Sequence, residues 1–173
     1  MSTLLVAAIV IASIILFCLI FIYINKKNES KQKEKFLNLF KEAGFKYDLS
    51  FSRQEVLRNK IIGLDSLKRT LLVFEFAPVE SVICINMAEI KNCTVAREYE
   101  NVNIGTEKKS KIEKDLRSIV IQLDFINSVD PVSVSFYDSG LNSVYEMTEL
   151  ESKAKQWVSV LSKMIERDHK ARA

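Results

Sequence analysis

The sequence predicts an α+β protein in which an N-terminal transmembrane helix precedes an antiparallel β-sheet or small barrel, capped by a long C-terminal amphipathic helix. Three observations lead to this fold class. Residues 3–24 contain no charged residue, glycine or proline, as expected of a membrane-spanning helix. Apolar and polar residues alternate in short stretches between residues 60 and 137, which is typical of half-buried strands. Residues 143–168 repeat apolar side chains at steps of three and four, which is typical of an amphipathic helix.

The apolar run at residues 3–24 is long enough to cross a bilayer as a helix, because a ~30 Å hydrocarbon core needs about 20 residues. Lys26 and Lys27 close it, so the transmembrane helix is assigned to residues 3–25. A secretory signal peptide and a buried core helix are the two alternatives. No basic segment precedes the run and no A-x-A site ends it, which argues against the first; the lack of a polar face argues against the second.

A cluster of lysines follows the apolar run, and no basic residue precedes it. The positive-inside tendency therefore predicts an inner-membrane protein with its N-terminus outside and residues 26–173 in the cytoplasm. The first role of the cluster is this topology, and contact with anionic lipid headgroups is the second interpretation. The lysines of the cluster are Lys26, Lys27, Lys31, Lys33 and Lys35.

Composition limits the function of the rest of the chain. The 25 basic and 22 acidic residues give a net charge of +3, a mixed surface that does not predict nucleic-acid binding. Cys84 and Cys93 lie in apolar stretches and are interpreted as buried free thiols rather than a disulfide. The single histidine, His169, lies in the C-terminal tail, so neither a zinc site nor a histidine-activated nucleophile is predicted, and no cofactor is expected.

Residues 26–44 are predicted to form a lysine-rich linker that ends in a short helix. The linker is polar over residues 27–35, and Phe36 and Phe40 then form an apolar face that we expect to pack on the domain. Gly44 fits a helix stop. The domain itself is assigned to residues 45–168, followed by a tail at 169–173.

Within the domain, residues 45–65 are mixed in pattern up to the first clear strand. Asp65 to Lys68 reads as a hairpin turn, and Ala77-Pro78 ends the strand that follows it. Leu116 to Phe125 shows the clearest alternation, with Ile119, Ile121 and Leu123 on one face. About six antiparallel strands are predicted in hairpin succession, at residues 60–65, 69–76, 82–87, 91–97, 116–125 and 132–137.

Residues 101–114 are polar and are predicted to form an exposed loop. This loop carries four lysines, interleaved with acidic residues. We interpret them first as solvated loop charge and second as a contact for anionic lipid. They are Lys108, Lys109, Lys111 and Lys114.

The C-terminal helix is predicted over about residues 143–168. Ser143-x-x-Glu146 has the form of a capping box at its start. The apolar stripe that follows includes Leu150, Ala154 and Trp157. Packing on a sheet is favoured over a coiled-coil seam, because the stripe spans few heptads.

Several short segments between about residues 55 and 168 carry a family resemblance: Ile61-Ile62-Gly63-Leu64-Asp65, Ile85 to Ile90 leading into Cys93-Thr94-Val95, Phe136-Tyr137, and Ala154 with Trp157. Through them the domain resembles the pleckstrin-homology-like (PH-like) domains of bacterial membrane-anchored proteins of unassigned activity. That family implies a curved antiparallel sheet or small barrel with a C-terminal helix. Its phosphoinositide-binding members use a basic first hairpin loop, and here that loop offers only Lys68 and Arg69.

Together these features predict a membrane-tethered, non-enzymatic binding or scaffold module, with lipid around the N-terminal helix and a protein partner or anionic lipid headgroups at the domain. An anionic-lipid sensor at the inner leaflet is the alternative. An enzyme is the third hypothesis, and its candidate carboxylates occur singly, each with a turn or surface explanation. Oligomeric state stays open, since small-residue spacing within the apolar run is common by chance. The candidate carboxylates are Asp65, Glu89, Asp124 and Asp138.

Overall fold

The computed structural model describes residues 3–76, 80–104, 111–128 and 130–172. The chain divides into two compact units, Met1–Ala43 and Gly44–Ala173. The elements in chain order are α1 (Thr3–Lys46), β1 (Arg53–Val56), β2 (Lys60–Asp65), β3 (Thr70–Glu75), β4 (Ser81–Asn86), β5 (Ile90–Ile104), β6 (Lys111–Phe125), β7 (Val132–Asp138) and α2 (Met147–Arg172).

Helix α1 is continuous from the apolar run through the predicted linker. The structure differs here from the sequence-based prediction of a polar connector at residues 27–35. The reason is local: residues 26–43 contain neither glycine nor proline and are rich in Lys, Glu and Gln, which are good helix formers. Near the end of α1, Phe40 is buried and Phe36 half-buried, on the face that the sequence marks as apolar.

Large apolar side chains of α1 are exposed between Ile11 and Tyr23, with exposed fractions from 49% at Ile20 to 72% at Phe17. They occupy successive positions along the helix, so they lie on every side of it. Among the residues that the structure describes, no helix has the length and apolarity needed to cross a membrane.

The second unit is an α+β domain of two antiparallel sheets and helix α2, which confirms the predicted fold class at this level. Strands β1, β2, β3 and β4 form one sheet in that order, and β5, β6 and β7 form the other. The predicted barrel is wrong, because the described strands do not close into one sheet. A 3₁₀ turn at Met87–Glu89 carries the chain from β4 to β5, so these consecutive strands lie in different sheets.

Two features of the sheets were missing from the prediction. Strand β1 lies in the stretch of mixed pattern and pairs with β2 from Arg53↔Leu64 to Val56↔Ile61. Strands β5 and β6 are each 15 residues long, and their ladder continues through Val102↔Glu113 to Ile104↔Lys111. Most of the predicted loop is therefore strand, and its remainder, residues 105–110, lies outside the described residues.

The core lies between the two sheets and α2. Ser143 and Glu146 form the predicted capping box, a 3₁₀ turn spans Val144–Glu146, and α2 starts at Met147. The apolar stripe of α2 contacts β5, β6 and β7, so the prediction that it packs on a sheet is confirmed. Its most deeply buried members are Ala154, Trp157 and Leu161.

Candidate functional site

The lysines predicted to meet a membrane fall in both units. Lys31, Lys33 and Lys35 are exposed on α1, where Lys31 and Lys35 share a face and Lys33 points elsewhere, because only residues three or four apart are neighbours on a helix. Lys26 and Lys27 belong to the same helix. Lys111 begins β6 and Lys114 is exposed on it. Lys108 and Lys109 lie outside the described residues.

The candidate carboxylates of the enzyme hypothesis hold local structure. Asp138 accepts the backbone N–H of Gly140 at 2.8 Å in the turn after β7. Glu89 and Asp124 lie 3.4 and 3.5 Å from the side-chain amides of neighbouring Asn86 and Gln122. Within the described part of the chain, no group of three or more His, Cys, Asp or Glu side chains is arranged to hold a metal ion.

Asp65 is the most buried of these carboxylates and is 1% exposed. Its Oδ1 accepts the backbone N–H groups of Leu67 and Lys68 at 2.9 and 2.8 Å, and its Oδ2 accepts that of Ser50 at 2.7 Å. The N–H of Lys68, then that of Ser50, hold the pKa of Asp65 below its ordinary value, against the opposing effect of burial. The charged carboxylate therefore fixes the turn between β2 and β3.

The stabilisation that Asp65 provides should depend on pH. Its folded pKa is lowered, so the stabilisation is complete above the ordinary aspartate pKa of about 3.9 and is lost as pH falls through the folded pKa. In urea unfolding from pH 7 to pH 3, we expect the stability difference between wild type and Asp65→Asn to stay constant above about pH 5 and to shrink below pH 4. Asp130→Asn, at an exposed aspartate, is the control and should show no such change. A difference that stays constant down to pH 3 would contradict the lowered pKa.

One polar cluster joins the two sheets and was not predicted from sequence. The ammonium of Lys60 on β2 donates to Glu75 Oε1 at 2.5 Å and to Ser135 Oγ at 2.9 Å, on β7 of the other sheet. A serine beside a lysine suggests a nucleophile and its base. Here the Lys60 ammonium is paired with a carboxylate and donates to the hydroxyl, so the arrangement favours a structural bridge between the sheets.

The two cysteines of the domain differ in burial. Cys93 is buried on β5, as predicted, whereas Cys84 is exposed on β4, which corrects the prediction of two buried thiols. Both are free. Burial and the charge of Asp124 raise the pKa of Cys93 to about 12, and partial desolvation raises the pKa of Cys84 although its surface is exposed. Neither environment favours a reactive thiolate at neutral pH.

An open groove of about 500 Å³ lies between the β2–β3 turn and α2, and we call it the turn–helix groove. Its turn wall is tied to its helix wall, because the Arg69 guanidinium donates to the backbone carbonyl of Met164 at 2.5 Å. Arg69 adopts a left-handed backbone conformation, φ 55°, which is uncommon for a residue other than glycine. The groove is lined by Ser66, Leu67, Arg69, Val160, Lys163 and Met164.

The turn–helix groove combines apolar and cationic side chains. Leu67 is 91% exposed, and Val160 and Met164 are half-buried in the opposite wall. Arg69 and Lys163 supply positive charge, and none of the described lining residues is acidic. The groove thus presents apolar surface and the exposed ammonium of Lys163 to one ligand. Sequence reasoning found Lys68 and Arg69 but had no signal that would bring them near Lys163.

A second opening lies in the core beside Trp157, among apolar residues of both sheets and α2. It holds only about 10 Å³, the space of roughly one water molecule. A packing gap of this size has no room for an organic ligand, so the turn–helix groove is the stronger candidate site.

No protein-family model, curated protein or solved structure matches this chain. The class that the structure defines is an α+β domain of two antiparallel sheets and a C-terminal helix, preceded by a long helix. Its function is therefore argued from its own geometry and chemistry.

Proposed function

We propose that this protein is a single-pass, membrane-anchored, non-enzymatic binding or scaffold module with its folded domain in the cytoplasm. The observation that carries the proposal is the set of large apolar side chains that α1 exposes on every side between Ile11 and Tyr23. Water-exposed apolar surface of this extent is unfavourable, and lipid is a solvent that covers every side of a helix at once. The lysines that follow the run support the cytoplasmic orientation.

The domain adds the binding part of the proposal. It offers the turn–helix groove, in which apolar and basic groups converge, and pockets of that composition fix and orient ligands. We propose further that the domain is PH-like. Antiparallel strands that pair with their chain neighbours within each sheet, and a C-terminal helix packed on the sheets, support this, since they are among the features that the resemblance implies. A fold of this kind does not determine the ligand, so the ligand must be argued from the groove.

Carbonate washing of membranes from cells that make the full chain tests the anchor. We expect wild type to remain in the membrane pellet. The double variant Ile14→Lys/Ile15→Lys should be released, because each lysine near the centre of a membrane helix costs about 2.5–3.5 kcal/mol. Both isoleucines are exposed in the structure, so the substitutions remove no packing that the structure shows.

The matched control is Val144→Lys/Tyr145→Lys, which places the same two charges on exposed apolar residues next to α2. This control should stay in the pellet. Release of wild type by carbonate would overturn the anchor.

The exposed lysines Lys31, Lys35 and Lys114 favour a second candidate, a peripheral sensor of anionic lipid. That candidate requires release by carbonate together with flotation on anionic but not neutral vesicles.

A further inference from the structure

We propose that the turn–helix groove binds an acidic peptide segment that carries an apolar side chain next to its carboxylate. The proposal rests on the proposed binding function and names the chemical class of the partner. Three properties of the groove support it: its concave shape, the pairing of apolar and cationic side chains across it, and the hydrogen bonds that hold it open.

Shape favours a chain segment over a membrane surface. The open groove holds about 500 Å³, within the range of roughly 300–1,000 Å³ that is typical of ligand sites. A bilayer surface is nearly flat on this scale, so it would touch the rim and leave Val160 and Met164 of the helix wall without a partner. A peptide side chain enters such a space and removes both walls from water.

Apolar side chains line both walls of the groove. An exposed leucine alone needs no explanation, since much of any protein surface is apolar. Leu67, however, lines the same groove as Val160 and Met164, so apolar side chains stand on both of its walls. Covering these side chains with an aliphatic or aromatic side chain of the ligand removes apolar area from water, which favours the complex.

Charge selects an anionic partner. Lys163 stands on α2 and Arg69 on the turn, so cations flank the groove from both walls. The nearby ammonium of Lys68 is paired with Asp48, whereas Lys163 is an exposed cation among the lining residues. A carboxylate beside Lys163 would accept a charge-assisted hydrogen bond from its ammonium, which is roughly twice as strong as a neutral one.

The groove is preformed, which reduces the entropy lost on binding. Asp65 holds the turn through the backbone N–H groups of Leu67 and Lys68. Arg69 then fixes the turn against the helix through the carbonyl of Met164. These hydrogen bonds position Leu67 opposite α2 before any ligand arrives.

A random peptide library displayed on phage is the probe, selected on the full chain in detergent micelles. We expect enriched peptides to combine Asp or Glu with a large apolar residue. Lys163→Glu should weaken their binding at least tenfold and should itself select basic peptides. Leu67→Ser should weaken binding severalfold without changing the preference for acidic residues. Lys91→Glu makes the same charge change at an exposed lysine of β5 that does not line the groove, and it should leave binding unchanged.

Enrichment of nothing above empty micelles, or of peptides that Lys163→Glu binds equally well, would overturn the proposal. So would binding to anionic vesicles that depends on Lys163 in the absence of peptide enrichment, because the ligand class would then be lipid. Each of these failures leaves the carbonate result untouched. The carbonate wash therefore tests the membrane anchor, and the peptide selection tests the groove, independently of each other.

Discussion

Replacing Trp157 by alanine is expected to lower the free energy of unfolding by about 3–5 kcal/mol, the usual cost of removing a buried aromatic side chain. Trp157 is 0% exposed and lies in the core between α2 and both sheets. The Arg53 guanidinium carbon lies 5.0 Å from the centroid of its ring, so the substitution also removes a cation–π contact. Because its Nε1 makes no hydrogen bond within the described residues, the loss should come almost entirely from packing.

Urea unfolding of the full chain in micelles, followed by far-UV circular dichroism, measures this loss. Fluorescence does not serve, because Trp157 is the only tryptophan of the sequence. Tyr145→Ala is the control: this ring is 97% exposed, and its removal should change stability by no more than about 0.5 kcal/mol. A loss below about 1 kcal/mol for Trp157→Ala would contradict the position of α2 in the core.

Glu75→Ala is expected to lower the free energy of unfolding by about 2–4 kcal/mol. Lys60 is 4% exposed, and without Glu75 its ammonium keeps, among the described residues, the Ser135 hydroxyl as its hydrogen-bond partner. Removing one partner of a buried ion pair typically costs 3–5 kcal/mol, and the partial exposure of Glu75 reduces that figure. Lys60→Met removes the charge while keeping most of the side-chain volume, so it should cost less than about 1.5 kcal/mol.

The double variant Lys60→Met/Glu75→Ala tests whether the loss in Glu75→Ala comes from the unpaired ammonium of Lys60. It should be more stable than Glu75→Ala alone, because no unpaired charge is then left between the sheets. Lys155→Ala is the control: it removes an exposed ammonium from Glu151, which keeps both hydrogen bonds from Arg97, so the free energy of unfolding should fall by less than about 0.5 kcal/mol. If Lys155→Ala and Glu75→Ala lowered the free energy of unfolding equally in the same urea titration, burial of the Lys60–Glu75 pair would make no difference to stability.

The elements that could be predicted from sequence are those whose local pattern agrees with their tertiary environment. The alternation around Ile119 to Leu123 matches a strand with one face in the core, and the Ser143–Glu146 capping box marks the start of the last helix. Strand β1 could not be found this way. Its sequence, Arg53-Gln54-Glu55-Val56, has one apolar residue, and pairing with β2 supplies the pattern that the sequence lacks.

The candidate site could not be predicted from sequence, because the residues that form it are far apart along the chain. Arg69 and Met164 are 95 residues apart, and Lys60 and Ser135 are 75 apart. No motif links such pairs, because their proximity is created by the way the two sheets and α2 pack. The lysine clusters were visible in sequence only because their members are neighbours along the chain.

The long β5–β6 hairpin has a consequence for how this domain can vary. Strand β7 pairs with β6 only over Ser118 to Leu123, whereas the β5–β6 ladder continues to Ile104↔Lys111. Within the described residues no third strand pairs with that outer part. Lengthening a surface hairpin costs little closure entropy, since each doubling of loop length adds only about 0.6 kcal/mol. The outer hairpin is thus the place where insertions and deletions can accumulate during evolution without disturbing the core.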